Sequence, residues 1–300
     1  MVVMNKRVMN KSRSRILLLG STGMLGSSLT PFLSGRGYEV LTQGRRGDAQ
    51  YKVDLCKLEE VNNLLDLVKP ETIINLVGLT DVENCEIDPN KAYLANTHSV
   101  ENIIKGIQGM KTQPHLVHIS TDQVYDGLGL HIEHNAVLRN YYAFSKYAGE
   151  LAALSISSTI LRTNFFGRSR CEKRKSLTDW LFESLSAGKA IQVFDDVLFS
   201  PLSIMTLANL IDRIICIKPL GVFNLGSLQG MSKSEFAFTF ANEIGVPTTS
   251  MTRTTTDKVA FLKTYRPKNM QMDCSKIESA LGVAMPILMS EIKQVAKEYL

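Results

Sequence analysis

The chain has 300 residues, 44% of them hydrophobic and 21% charged, with a formal net charge of +5. That length exceeds one ordinary domain and suits an enzyme with a large and a smaller lobe, and the composition is that of a soluble protein with a sizeable core. Residues 1–15 carry Lys6, Arg7, Lys11, Arg13 and Arg15 and no acid, so the excess charge lies in this leader and the body is formally neutral. A basic nucleic-acid surface is therefore not expected.

The leader reads as a disordered extension, with no apolar stretch long enough for a secretion signal, and no later run approaches a membrane span. Five scattered cysteines (Cys56, Cys85, Cys171, Cys216 and Cys274) form no CxxC pair. They read as thiols in a reducing cytoplasm, not as a disulfide or zinc framework.

Ile16 to Leu19 is a short apolar run, as expected of a strand buried on both faces of a parallel sheet. A glycine turn follows, then a predicted helix over 27–36, a strand over 39–42, a helix over 58–68 and a strand over 72–77. Helical spacing returns over 89–107, followed by a strand over 116–119, a helix over 142–154 and a strand over 158–162. This alternation predicts an α/β fold: a doubly wound parallel sheet of Rossmann type with right-handed crossovers. Beyond about residue 165 the pattern loosens, with helices over 176–187, 204–217 and 232–244 and a strand over 222–225. The expected organisation is a dinucleotide-binding domain over 16–165, with 166–300 mainly a smaller, interleaved substrate lobe whose segments return to the sheet.

Gly20-Ser-Thr-Gly23-Met-Leu-Gly26 sits between the first strand and first helix. Glycines there let the backbone approach a pyrophosphate, and the helix N-terminus offers it unpaired N–H groups. An acid at the end of the second strand would bond the ribose hydroxyls of NAD; here the run is Thr42-Gln43-Gly44-Arg45-Arg46. Two arginines where a 2′-phosphate would lie favour NADPH, with NADH still open; a solvated basic loop is the plainer reading. Asp54, in Val53-Asp54-Leu55, is a candidate to accept from the adenine amine, or a cap for the next helix.

Tyr142 and Lys146 are four residues apart and so share one face of a helix. A phenol ordinarily titrates near pH ~10. A neighbouring ammonium favours the phenolate, which would make Tyr142 a usable general acid. Thr121, ending the run Leu116 to Thr121, is placed to bond the same substrate oxygen.

These residues resemble the extended short-chain dehydrogenase/reductases, and within them the dTDP-4-dehydrorhamnose reductase group. The resemblance rests on Gly20-xx-Gly23-Met-Leu-Gly26, Ser120-Thr121-Asp122-x-Val-Tyr-x-Gly127 and Tyr142-xxx-Lys146-xx-Gly149-Glu150. Supporting stretches are Asn75 to Glu86 with Pro89 and Asn96, Ile160-Leu-Arg-Thr163, Arg266-Pro267, Asp273-x-Ser-Lys276 and Leu281-Gly282.

The resemblance implies a triad of Thr121, Tyr142 and Lys146, with Tyr142 protonating the C4 oxygen of a nucleotide-linked 4-keto sugar. It places Gly23, Met24 and Leu25 at the pyrophosphate and Val77, Gly78 and Leu79 beside the cofactor, with Asn96 among the cofactor-side positions. Lys146 would hold the nicotinamide ribose, and Thr121 and Asp122 would touch the nucleotide sugar. Phe165 stands where these reductases carry Trp in an Arg-Thr-Ser-Trp run, so Asn164-Phe165 departs from the pattern on the substrate side. Family members can be dimers and some use magnesium, though no decisive acidic cluster for a metal stands out in this chain.

Nucleotide-sugar dehydratases carry Thr-Asp-Glu where this chain has Thr121-Asp122-Gln123. An amide cannot take up a proton as a carboxylate does, which favours reduction over dehydration. An epimerase or dehydratase, and a non-catalytic NADP-binding regulatory subunit, are the alternatives. His115, His118, His131 and His134 cluster in sequence without the spacing of a metal site. Arg168 to Lys175, with five basic residues and one acid, follows the substrate strand and reads as a solvated loop or a diphosphate contact. Trp180 reads as an amphipathic anchor in the smaller lobe.

Overall fold

A computed structural model describes residues 14–260 and 262–300. Most of the basic leader therefore lies outside the described residues, and Arg15 already begins the first strand.

Seven parallel strands form the central sheet: β1 (Arg15–Leu19), β2 (Glu39–Gly44), β3 (Tyr51–Lys52), β4 (Thr72–Asn75), β5 (His115–Thr121), β6 (Ser158–Thr163) and β7 (Gly221–Leu225), in the order β7-β6-β5-β4-β1-β2-β3. The chain winds outward from β1 to β3, then crosses back to β4 and winds the other way. That reversal opens a crevice at the carboxyl ends of β1 and β4, the place where open α/β sheets bind ligands.

Helices cover both faces: α1 (Met24–Gly35), α2 (Leu58–Val68), α3 (Val82–Ile87), α4 (Pro89–Tyr93), α5 (Ser99–Gly109), α6 (Tyr141–Ala153), α7 (Leu177–Ser186), α8 (Ile204–Ile217), α9 (Lys233–Glu243), α10 (Ser275–Leu281) and α11 (Leu288–Ala296). The alternation of side chains along β1 divides the core. Ile16 and Leu18 pack with α1, α8 and α10, whereas Leu17 and Leu19 pack with α2 and α5. A further core unites Phe166, Leu181, Phe199, Phe236, Phe240 and Ile292, drawn from α7, α9, α11 and their loops. Chain from α8, β7 and α10 returns to the sheet.

Three local departures from the predicted elements matter for the site. Helix α1 begins at Met24, directly at the glycine turn. Strand β4 stops at Asn75, whose Oδ1 accepts the Val77 N–H at 3.0 Å, so Val77 belongs to the loop above the strand. The predicted helix over 89–107 is interrupted by a π-turn at Leu94–His98 that carries the fully buried Asn96 inward.

Candidate active site

The glycine turn is shaped by close approach. Gly20 has φ +79°, a left-handed conformation that glycine adopts without steric cost. A Cβ at Gly26 would lie 2.6 Å from Ser21 Cα, so only glycine lets α1 pack this close to the turn. Gly23 occupies the N-cap, no side chain caps the helix, and its first turn contains no acid. The N-terminus thus presents N–H groups and the positive end of the helix dipole toward the crevice, which fits a pyrophosphate.

Gln43 holds this turn in place. Its side chain is buried, accepts the Gly20 N–H at 3.1 Å and donates to the Val53 carbonyl at 2.7 Å. This buried amide ties β1, β2 and the chain after β3 together. Arg45 and Arg46 follow on an exposed loop with no ion pair among the described residues. One oxygen of Asp54 accepts the Cys56 N–H at 3.1 Å, which orders the turn into α2, and Leu55 is buried beneath it.

Across the crevice, Asn96 receives the Leu79 N–H at 2.7 Å and donates to the Leu79 carbonyl and to Ser145 Oγ. It therefore fixes Val77, Gly78 and Leu79 against α6. A Cβ at Gly78 would lie 3.2 Å from Asn96 Oδ1 and 3.7 Å from Lys146 Nζ.

Asn140 caps α6 by accepting the Ala143 N–H at 2.8 Å, and the helix brings Tyr142 and Lys146 to the end of β5. Both are buried. Thr121, also buried, lies near the Tyr142 phenol at the end of β5 and donates to Asp122 Oδ1 at 3.4 Å. Burial pushes the phenol well above its ordinary range; the Thr121 hydrogen bond draws it partly back, while Asp122 and Cys85 push it further up.

The expected control of this phenol by Lys146 does not appear. The ammonium donates to the Ile119 carbonyl at 2.7 Å, and burial pulls its pKa down to about 8, against an upward pull from Glu150. At neutral pH the phenol is therefore protonated, and the amine one helical turn away is charged. That is the state a general acid needs.

Asp122 is buried next to Thr121, and burial raises its pKa to about 6. Asn164 Nδ2 donates to Asp122 Oδ2 at 2.8 Å, and the Lys233 charge at the start of α9 also pulls the pKa down. Phe165 is half-buried against the core on the α1 side of the sheet. Asn164, the other half of the unusual dipeptide, is the residue that reaches the site. Gln123 Oε1 is buried and has no hydrogen-bond partner.

Behind the site runs a buried polar network. Glu150 binds Arg162 with 2.6 Å between Oε2 and Nη2, and both side chains are almost fully inaccessible. Ser120 Oγ also donates to Glu150, and Arg162 donates to Tyr125 Oη at 2.7 Å, which in turn donates to Asn224. The sequence shows Glu150 and Arg162 only as parts of separate motifs, 12 positions apart. The bond from Asn164 to Asp122 and the pull of Lys233 on the same acid are not readable from the sequence, because both arise where separate segments meet.

The histidines do not converge. His115 bonds Thr159, His118 bonds Asn75 and His131 bonds the Asn269 carbonyl, while His134 is exposed. No group of His, Cys, Asp or Glu among the described residues is arranged to hold a metal. All five cysteines are free. Trp180, on α7, is 40% exposed. No helix among the described residues is long and apolar enough to cross a membrane.

Comparison with known proteins bears on this geometry. The family described as "RmlD substrate binding domain" matches residues 14–300. The chain is 26% identical to the "Probable low-salt glycan biosynthesis reductase Agl14" of Haloferax volcanii, over 91% of this chain and 94% of that protein. It is 27% identical to the dTDP-4-dehydrorhamnose reductase of Aggregatibacter actinomycetemcomitans, over 90% and 94%. It is 24% identical to the methionine adenosyltransferase 2 subunit beta of Rattus norvegicus, over 90% and 83%. Among solved structures, the dTDP-4-dehydrorhamnose reductase of Bacillus anthracis in complex with NADP superposes with a TM-score of 0.85 at 22% identity, covering 95% of this chain and 99% of that one.

Proposed function

This chain belongs to the RmlD substrate binding domain family, and on that footing we propose that it is an NADPH-preferring reductase of a nucleotide-linked 4-keto-6-deoxy sugar. The observation that carries this reading is the meeting of Thr121, Tyr142 and Lys146 beside Gly78, across the crevice from the uncapped start of α1. The Bacillus anthracis structure holds NADP, and two relatives carry the name dTDP-4-dehydrorhamnose reductase, which supports both the cofactor and the substrate class.

When bound, a reduced nicotinamide supplies a hydride to the sugar's C4 carbon. Met24, Leu25 and Gly26 would hold the pyrophosphate through backbone N–H groups, with Gly23 at the N-cap allowing its close approach, and Arg45 and Arg46 would take the 2′-phosphate. Lys146 Nζ keeps positive charge at the ribose and beside the phenol. Tyr142 Oη gives its proton to the C4 oxygen as the carbonyl becomes an alkoxide, and Thr121 Oγ1 bonds the same oxygen. Asp122, oriented by Asn164, accepts from a sugar hydroxyl. One hydride and one proton convert ketone to alcohol, so no second acid is needed, and Gln123 stands where a dehydratase needs one. The lobe built on α7, α9 and α11 helps hold the substrate.

The Tyr142→Phe variant is expected to lose nearly all turnover while binding NADPH as the parent does. Equal turnover in variant and parent would remove the acid from this account. The relationship to a subunit of methionine adenosyltransferase favours a second reading, a cofactor-binding regulatory subunit. That reading predicts a parent protein that binds NADPH but reduces no nucleotide sugar.

A further inference from the structure

The basic run from Arg168 to Lys175 is not a free solvated loop, because it crosses the cofactor crevice. Cys171 Sγ donates to the Thr22 carbonyl at 3.3 Å, on the glycine turn after β1. Three residues on, Arg174 Nη1 donates to Thr80 Oγ1 at 3.0 Å, on the loop after β4. A turn closed by the Arg174 N–H on the Cys171 carbonyl joins the two contacts. The segment therefore touches both banks of the crevice at the point where the sheet order reverses.

Its ends are tied down. The Arg168 N–H donates to Glu298 Oε2 at 3.1 Å, and its guanidinium donates to the Glu298 carbonyl and stacks on Tyr299. Ser169 N–H donates to Asp179 Oδ2, Lys175 pairs with Glu183, and Ser176 caps α7 with a reciprocal bond from Asp179. Acids thus offset the charge at both ends of the strap. In the middle, Arg170, Lys173 and Arg174 have no acidic partner within salt-bridge distance among the described residues. Set against Glu172, the one acid of the run, three cations beside an uncapped helix N-terminus leave a net positive field, which an uncharged ligand would not need.

We propose that Arg174 binds the diphosphate of the dinucleotide from the side opposite α1, so that the cofactor lies between the helix N-terminus and the strap. Arg170 and Lys173 add charge to this contact without forming it. The inference rests on the proposed cofactor and adds a residue that the glycine-turn motif does not contain. On cofactor entry the guanidinium exchanges the neutral Thr80 hydroxyl for phosphate oxygens, a stronger, charge-assisted partner. Because the diphosphate is common to NADPH and NADH, Arg174 raises affinity for both. This separates it from Arg45 and Arg46, which face the 2′-phosphate.

Calorimetric titration of the whole protein with NADPH, NADH and dTDP tests the assignment. Arg174→Gln is expected to weaken NADPH and NADH about tenfold each and leave dTDP unchanged, with Arg174→Lys recovering part of the loss. In the parent, NADPH should also slow tryptic cleavage after Arg170 and Lys173. Dissociation constants for NADPH within twofold of the parent's would overturn the proposal, as would a loss confined to dTDP, which would give the strap to the nucleotide sugar. A parent that binds neither dinucleotide would overturn the proposed function and the strap together.

Discussion

Glu150 lies one helical turn beyond Lys146 and grips Arg162 on β6 by three hydrogen bonds, with both side chains buried. Ser120, the neighbour of Thr121, donates to the same carboxylate. One acid thus locks α6 to β5 and β6 and fixes the relative positions of Thr121, Tyr142 and Lys146. Removing one member of a buried pair leaves the other charge without a partner, at a cost of roughly 3–5 kcal/mol. Arg162→Met is therefore expected to lower unfolding free energy by about that amount in urea titration. A loss under about 1 kcal/mol would show that the pair does not anchor the site.

Asp122 gives a pH-dependent prediction. Its folded-state pKa is about 6 against an ordinary 3.8, so the folded protein holds a proton that the unfolded chain has released between these values. Stability should fall as pH rises through this window and level off above it. The full effect is about 3 kcal/mol. Asp122→Asn removes it, so the variant should exceed the parent in stability at pH ~7.5 and converge with it near pH ~4. A gap that is the same at both pH values would place the raised pKa elsewhere.

The frame of the site was legible in the sequence because it is local. The glycine spacing after Leu19 and the four-residue step from Tyr142 to Lys146 each depend on a single turn or helix. Thr121 was readable as the end of an apolar run. Gln43, Asn164 and Lys233 were not, since each acts across a gap in sequence: Gln43 on Gly20, Asn164 on Asp122, and Lys233 on Asp122 from a different lobe. The pKa of Tyr142 departs from the sequence expectation for a related reason. Spacing puts Lys146 on the same helix face as the phenol, but only the packed structure shows that burial sets the phenol's pKa and that Lys146 is held by the Ile119 carbonyl.

Lys146 sets an alkaline limit. With its pKa drawn down to about 8, the amine loses its charge as pH rises through that value, while the phenol of Tyr142 stays protonated. The kcat/KM profile of the parent should therefore decline above pH ~8, reporting the free enzyme. A profile flat to pH ~10 would show that the charge on Lys146 is not required.

Arg45 and Arg46 are exposed and near the end of β2, where a 2′-phosphate lies in dinucleotide folds. Changing both to alanine should weaken NADPH tenfold or more and NADH by less than about twofold, measured by equilibrium binding. Equal weakening of both cofactors would remove their role in selecting the phosphate.

The most direct test of the reductase reading is the stoichiometry of cofactor consumption. Purified protein is mixed with NADPH and dTDP-4-dehydrorhamnose, and loss of the reduced-nicotinamide absorbance is followed together with sugar product. One NADPH is expected to be oxidised for each 4-hydroxy sugar formed, and none with Tyr142→Phe. Product formed without net oxidation of NADPH, or bound NADPH with no product from any 4-keto nucleotide sugar, would contradict it.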